Sequence, residues 1–182
     1  MSVLLNTERL ILKSVIIDNA TEIFNYRSLE EVYKYQGFRP EKKEDVIEFI
    51  NKNVVDEINI PDTWIQLCIF IKESNNLIGD IGVHFIDDKQ VEIGYTLSPE
   101  FQGKGYAIEA IKEVINYIFK ILKKHRITAS VDPENMRSIN LLEKIGMRKE
   151  AHMIKSVWFN EKWADDVIFA MLEEEYNNKG EN

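Results

Sequence analysis

Apolar positions along the chain follow two periods, and the switches between them mark out the elements. Arg9 to Val15 alternates into a first strand. Ala20, Ile23 and Phe24 then keep helical spacing, with Asp18 placed as the N-cap of that first helix. Ser28 to Tyr35 reads as a second, short helix, followed by an aromatic loop with Tyr33, Tyr35 and Phe38 that Pro40 closes. From Glu41 onward Val46, Phe49, Ile50, Val54 and Ile58 share one helical stripe, which Pro61 ends. Trp64 to Lys72 is the next strand, and the turn Glu73-Ser74-Asn75-Asn76 leads into a hairpin of Leu77 to Ile86 and Gln90 to Leu97.

The register of that hairpin is legible in its alternation. A three-residue loop, Asp87-Asp88-Lys89, sets Phe85 opposite Val91, so Ile81, Val83 and Phe85 share a face with Val91, Ile93 and Tyr95. The other face carries Asp80, Gly82 and His84 beside Glu92, Gly94 and Thr96, with His84 directly opposite Glu92. A long helix follows from Gly105 to Lys123, with Ile108, Ile111, Ile115, Ile118, Phe119 and Leu122 inward. Arg126 to Val131 is a strand and Asp132-Pro133 a break. Asn135 to Lys144 is a helix that Gly146 stops. The strands Arg148 to Phe159 and Trp163 to Leu172 meet at Asn160-Glu161-Lys162, and Asn177 to Asn182 is read as a mobile tail. Helices interleaved with hairpins and crossovers predict an α/β chain with a mixed sheet.

Composition adds limits. The length of 182 residues suits one domain with one core, read as residues 1–176, and no linker or repeat divides it. A net charge of -8, with both signs mixed along the chain, leaves no basic face for nucleic acid. The excess acid serves solubility, and among partners it suits a cationic one. The single cysteine, Cys68, lies in the apolar run WIQLCIFI, which excludes an intramolecular disulfide or a cysteine-based zinc site and places a thiol in the core. His125 and His152 show no metal-ligand spacing, so no metal is expected. The first residues are too briefly apolar for a signal peptide and no run reaches membrane-spanning length, so the chain reads as cytoplasmic.

One stretch carries chemistry. After the strand ending at Leu97, the loop Gln102-Gly103-Lys104-Gly105-Tyr106-Ala107 opens the long helix. Glycines allow close backbone approach, and a helix start presents unpaired amides and positive dipole, which together suit an anion. A Walker loop fails, because no glycine is followed by Lys and then Ser or Thr. A dinucleotide fingerprint fails too, lacking its third glycine and having Lys123 and Lys124 where an acid belongs.

The loop, with Gln102, Gly105 and Ala107, instead resembles the Q/R-x-x-G-x-G/A loop of the GNAT superfamily of acetyl-CoA-dependent N-acetyltransferases. Asn135-Met136-Arg137-Ser138, followed by Leu141-Leu142-Glu143-Lys144 and Gly146-Met147, is similar to that superfamily's second signature, with Met147 where Phe is usual. TERLILK near the start, EIGYTLSPEFQGKGYAIEA and NEKWADDVIFAML look most like the RimJ/RimL branch, which acetylates ribosomal-protein N-termini. The resemblance implies a single-domain fold, a twisted and mostly antiparallel sheet of about seven strands flanked by about four helices.

It also implies the site. The amides from Gly103 to Ala107 would cradle the pyrophosphate of acetyl-CoA, with Lys104 adding charge and Tyr106 packing beside the cofactor. Tyr95, Thr96 and Leu97 would pair their backbone with pantetheine and polarise the acetyl carbonyl. Asn135 would touch the cofactor as well. The reaction is direct attack of a neutral amine on the thioester, needing one proton taken and one given. Glu92 is the base candidate, with His84 across the hairpin, against a plain solvated carboxylate. Leu142 occupies the position of a frequent tyrosine acid, so Ser138 is the donor candidate, against a serine bonded to its own helix.

The acceptor side lies between the loop after the first helix and the final hairpin. It offers Tyr33, Tyr35, Phe38, Trp158 and Trp163, with Glu30, Glu31, Asp165 and Asp166 as amine attractors. Three readings stay open: a protein or peptide N-terminus first, then a polyamine, aminoglycoside or other small amine, and finally an acetyl-CoA sensor without turnover. The resemblance further implies a homodimer through the final hairpin.

Overall fold

Two hydrophobic clusters sandwich a single sheet, and the alternation along its strands decides which residues face which. The structure, a computed structural model, describes residues 3–53 and 57–178. Eight strands form the sheet: β1 (Leu4–Asn6), β2 (Leu10–Ser14), β3 (Thr63–Ile71), β4 (Leu77–Phe85), β5 (Gln90–Leu97), β6 (Arg126–Val131), β7 (Arg148–Phe159) and β8 (Lys162–Leu172). Their order is β1-β2-β3-β4-β5-β6-β8-β7, and every pairing is antiparallel except β5 with β6. Helices α1 (Ala20–Arg27), α2 (Glu30–Tyr33), α3 (Lys43–Asn53), α4 (Tyr106–Asn116), α5 (Met136–Ile145) and α6 (Glu173–Asn178) complete the chain. This is the α/β mixed sheet expected, with one short strand more.

On one side Leu10, Leu12, Leu67, Ile69, Ile81, Val83, Val91 and Ile93 pack with Ala110, Ile111, Val114 and Ile115 of α4 and with Leu142 of α5. On the other, Cys68 and Phe70 pack with Ile23 of α1 and with Val46 and Ile50 of α3. The hairpin register is the one the alternation predicts, with Phe85 opposite Val91 and His84 opposite Glu92. Cys68 is a buried core thiol whose pKa burial pushes up.

The polar face of β4 begins with a buried anchor. Asp80 is fully buried and accepts hydrogen bonds from Tyr26 Oη (2.6 Å), from Arg27 and from Gln66 Nε2. Removing either Asp80 or Arg27 would strand a charge in the interior, so the pair fixes α1 over β4. The loop after α2 starts from that fixed point.

Several local readings shift. The first helical turn begins as a 3₁₀ turn, Ile17–Asn19, with Ile16 and not Asp18 at its N-cap; Asn19 Oδ1 accepts from Ile16 N–H (3.1 Å), and Asn19 in turn precedes α1 as its N-cap residue. The α3 stripe ends earlier than its periodicity: Ile58 sits in a bend, and Val54 lies outside the described residues. After Asn116 the long helix widens into a π turn, Tyr117–Ile121, which closes it before Lys123. Asn177 and Asn178, read as tail, end α6, where Asn177 Oδ1 accepts from Lys120 Nζ (2.6 Å); residues 179–182 lie outside the described residues.

Candidate active site

Strand β5 pairs with its parallel neighbour β6 over only three positions, from Gln90 with Arg126 to Glu92 with Thr128. Beyond Glu92 the two strands diverge while β5 keeps its ladder to β4 as far as Leu97. The result is a wedge-shaped slot with Glu92 at its fork. In an antiparallel ladder, bonded and non-bonded pairs alternate. Ser98 N–H donates to Ile78 O (2.8 Å), which fixes that alternation. Tyr95 and Leu97 therefore turn their N–H and C=O groups toward the slot.

Thr96 does not. Its backbone belongs to the β4 side, where a Cβ on Gly79 would meet Thr96 O at 2.3 Å. Its side chain is buried, with Oγ1 3.4 Å from Gln36 Oε1. Of the three backbone positions expected against a thioester, Tyr95 and Leu97 face the slot and Thr96 supports the loop behind it.

At the outer end of β5 a 3₁₀ turn, Pro99–Phe101, leads into the glycine loop. Gly103 and Gly105 both hold positive φ, 74° and 82°, a backbone that side chains with a Cβ disfavour. Gly105 is the N-cap of α4. Among the described residues no acceptor takes the N–H of Gly103, Gly105, Tyr106 or Ala107. Four free amides at the start of an 11-residue helix are a candidate cradle for a phosphate. Gln102 braces it: Nε2 donates to Leu97 O (3.0 Å) and Oε1 accepts from Arg137 (2.8 Å) on α5. Gln102 thus acts by holding the loop between β5 and α5. Lys104 is exposed, with Nζ 5.4 Å from the Phe101 ring, and Tyr106 lies beneath the Arg9 guanidinium.

At the fork the slot opens into a cleft of 280 Å³ whose walls include Glu92, Gly94, Tyr95, Asn135, Ser138 and Leu142. Asn135 caps α5, its Oδ1 accepting from Ser138 N–H (3.2 Å), which leaves its amide hydrogens for a ligand. Ser138 Oγ makes no hydrogen bond among the described residues, so the helix-bonded alternative for this serine does not apply. Tyr95 Oη reaches Ser138 O at 3.4 Å, and burial, partly offset by that bond, pushes its phenol up to about 12. The phenol stays protonated beside Ser138, which makes it a second donor candidate that the strand pattern does not reveal.

Glu92 is half-buried, and burial raises its pKa; His84 opposes the shift and Asp166 adds to it. His84 is not bonded to Glu92. Its ring stacks on Trp64 (centroids 4.6 Å apart, planes 3° apart) and its Nε2 lies 3.4 Å from Asp62. Trp64 also lies close over Gly82, where a Cβ would stand 3.3 Å from the indole and 3.0 Å from Gln66 Oε1.

The acceptor wall differs from its sequence reading. Tyr35, Asp165 and Asp166 line the cleft, joined by Gln36, Trp64 and Asp132, which the pattern had not marked. Trp158 and Trp163 pair edge-to-face 5.5 Å apart on the exposed face of the final hairpin, while their neighbours Val157, Phe159 and Ala164 line the cleft. Phe38 stacks on Phe49 (4.5 Å), and Glu30 and Glu31 are exposed and outside it. Among the described residues four carboxylates, Glu92, Asp132, Asp165 and Asp166, line this cleft together with no lysine or arginine.

Residues 9–148 match the acetyltransferase (GNAT) domain model, and with the slot, glycine loop and capped α5 in place the chain belongs to the GNAT family and is an N-acetyltransferase. It is 32% identical over 174 residues to the uncharacterized N-acetyltransferase YnaD of Bacillus subtilis, covering 95% of this chain and 99% of that one. A spermidine N(1)-acetyltransferase of Vibrio cholerae is 26% identical over 162 residues, covering 87% of this chain and 90% of the other. The ribosomal protein uS5 alanine N-acetyltransferase of Escherichia coli is 34% identical over only 79 residues, 43% of this chain and 41% of its own. Among solved structures, a GNAT-family acetyltransferase of Bacillus anthracis superposes with a TM-score of 0.84 at 31% identity, covering 94% and 99% of the two chains. No helix among the described residues is long and apolar enough to cross a membrane.

Proposed function

We propose that the protein transfers the acetyl group of acetyl-CoA to a primary amine of a small polycation, the class to which polyamines belong. The observation that carries the acceptor choice is the cleft wall: among the described residues, four carboxylates, no lysine or arginine, and the Trp64 indole face. Carboxylates attract each ammonium of such a molecule, and an indole adds a cation–π contribution. The similarity to a spermidine acetyltransferase runs through most of both chains, whereas that to the uS5 enzyme is partial.

Acetyl-CoA fits the residues present. Free amides from Gly103 to Ala107 would hold its pyrophosphate, and the slot faces of Tyr95 and Leu97 would pair with the pantetheine arm. The bound amine loses a proton to Glu92, directly or through water, and its lone pair attacks the thioester carbonyl. Collapse of the tetrahedral adduct breaks the C–S bond, the thiolate takes a proton from Ser138 or Tyr95, and the second proton of the amine nitrogen passes through water to restore that donor. Backbone N–H groups of the slot stabilise the oxyanion.

A second reading, an N-terminal amine of a protein, keeps one specific support. Leu142 in place of tyrosine, with Ser138 as donor, is the RimJ/RimL pattern. An α-amino group, with a pKa near 7.7–8.0 against about 10.4 for an alkyl amine such as lysine, also asks less of the base. Initial rates with acetyl-CoA and either spermidine or a peptide starting with alanine decide between them. A higher kcat/KM for spermidine is expected; a higher value for the peptide would put the protein N-terminus first.

A further inference from the structure

The Thr7-Glu8-Arg9-Leu10 segment takes no part in the transfer chemistry, yet it closes on the glycine loop across some of the longest sequence separations in the fold. Thr7 and Leu10 form a tight turn between β1 and β2, with Thr7 N–H donating to Leu10 O (3.0 Å) and Leu10 N–H to Thr7 Oγ1 (2.9 Å). That turn presents three donors to Glu109 in the first turn of α4. Thr7 Oγ1 (2.5 Å) and Arg9 N–H (2.8 Å) reach Oε1, and Arg9 Nε (2.6 Å) reaches Oε2. Against an opposing effect of burial, these bonds hold the Glu109 carboxyl below the usual carboxylate range, so it stays a charged anchor.

Anchored there, the Arg9 guanidinium lies 4.5 Å over the Tyr106 ring and donates from Nη1 to Lys104 O (3.1 Å). In a trans peptide the C=O and the following N–H point in opposite directions. A Lys104 carbonyl held toward Arg9 therefore turns the Gly105 N–H to the opposite side of the loop. Without such a restraint this peptide plane, which leads into Gly105 at positive φ, has a low barrier to turning over, because a glycine takes either sign of φ. Turned over, it would present a carbonyl where the cradle presents an amide.

We propose that Thr7, Arg9 and Glu109 form a clasp that presets the Lys104–Gly105 peptide for the pyrophosphate of acetyl-CoA, with Arg9 as its positioning residue. The clasp rests on the acetyl-CoA reading given above. It supplies the preorganisation that a glycine loop lacks, so its loss falls on phosphate binding and spares the chemical step.

The test compares two acetyl donors with the full-length protein: acetyl-CoA and S-acetylpantetheine, which keeps the thioester arm and lacks the pyrophosphate. For Arg9→Gln, kcat/KM with acetyl-CoA is expected to fall about tenfold, the scale of one misdirected bond to a charged group, through KM with kcat kept. With S-acetylpantetheine it should change less than about twofold. Arg9→Lys retains the charge but cannot span Glu109 and Lys104 O together, so it should show the same donor selectivity to a smaller degree; it carries the test if Arg9→Gln does not fold. Equal losses on both donors, a loss in kcat, or no loss on either would overturn the clasp. Wild-type protein inactive with both donors would instead bring down the acetyl-CoA reading itself.

Discussion

Gly105→Leu is expected to abolish acetyl-CoA binding, raising the dissociation constant about a hundredfold or more. Gly105 holds φ at 82°, where a residue with a Cβ pays roughly 1–2 kcal/mol. A Cβ there would also stand 3.3 Å from Arg9 Nη2, and the rest of a leucine has to displace that guanidinium or the loop. Overpacking of this kind costs about 1–3 kcal/mol, and every 1.4 kcal/mol is about tenfold in affinity. Gly103→Ala is the comparison. Its φ is also positive, but a Cβ meets no protein atom within 4 Å, so only the backbone strain applies and a smaller loss is expected. Calorimetric titration of the folded variants with CoA reads both. Unchanged affinity in Gly105→Leu would refute the pyrophosphate cradle.

Glu92→Gln should cut turnover by about a hundredfold or more, the usual worth of a positioned general base, while CoA affinity is kept. Ser138→Ala gives the matching test on the donor side, with a smaller loss because the Tyr95 phenol remains nearby. The pH dependence follows from the raised pKa of Glu92. In the wild type, kcat/KM falls as pH drops through that value, because the carboxylate accepts a proton and ceases to be a base; Glu92→Gln loses this limb. Stability runs the other way. A folded-state pKa above the unfolded one means that the native state binds the proton more tightly, so stability declines as pH rises across the interval between them. At neutral pH the uncharged glutamine escapes the cost of a half-buried charge. Glu92→Gln should therefore melt at a higher temperature than the wild type at pH 7. A variant both slower and less stable would mean a structural carboxylate.

Alternating residues in β4 and β5 were enough to set their register and to bring Glu92 to the polar face, because a one-residue slip would turn Ile81, Val83 and Phe85 out of the core. The glycine spacing likewise located the amide cradle, since positive φ and a helix start are local properties of the chain. What stayed hidden depends on contacts between distant segments. Strand β1 is three residues long, too short to show a period, and α6 opens on three glutamates with no apolar stripe. Arg9 meets Glu109 from 100 positions away. His84 lies opposite Glu92 as its register requires, but the Trp64 indole, close over Gly82, takes the imidazole face instead. Residue type points Trp158 and Trp163 to the acceptor site, whereas alternation along the final hairpin gives the cleft Val157, Phe159 and Ala164 and turns the Trp158–Trp163 pair to the other face.

The acidic cleft also explains why the acceptor was hard to read. Asp132 directly follows β6, Asp165 and Asp166 belong to β8, and Glu92 to β5, so their shared field exists only once the strands are in order. Within it the four differ. Asp165 is held below its ordinary range by the Lys155 N–H and by His152, whereas Asp166 accepts from Ser130 Oγ (2.7 Å). Glu92, whose pKa burial raises, is the one that stands where β5 and β6 part. In the proposed mechanism that combination gives Glu92 the proton and leaves the aspartates to attract the cation.

Single-turnover transfer from acetyl-labelled acetyl-CoA, quenched in time and resolved into amine product, free thiol and protein, tests the account most directly. With spermidine present, label should pass to the amine one-for-one with thiol release and never accumulate on the protein. Acetyl-CoA bound tightly with no thiol released for any amine, or label trapped on the protein before reaching the amine, would contradict direct transfer in this cleft.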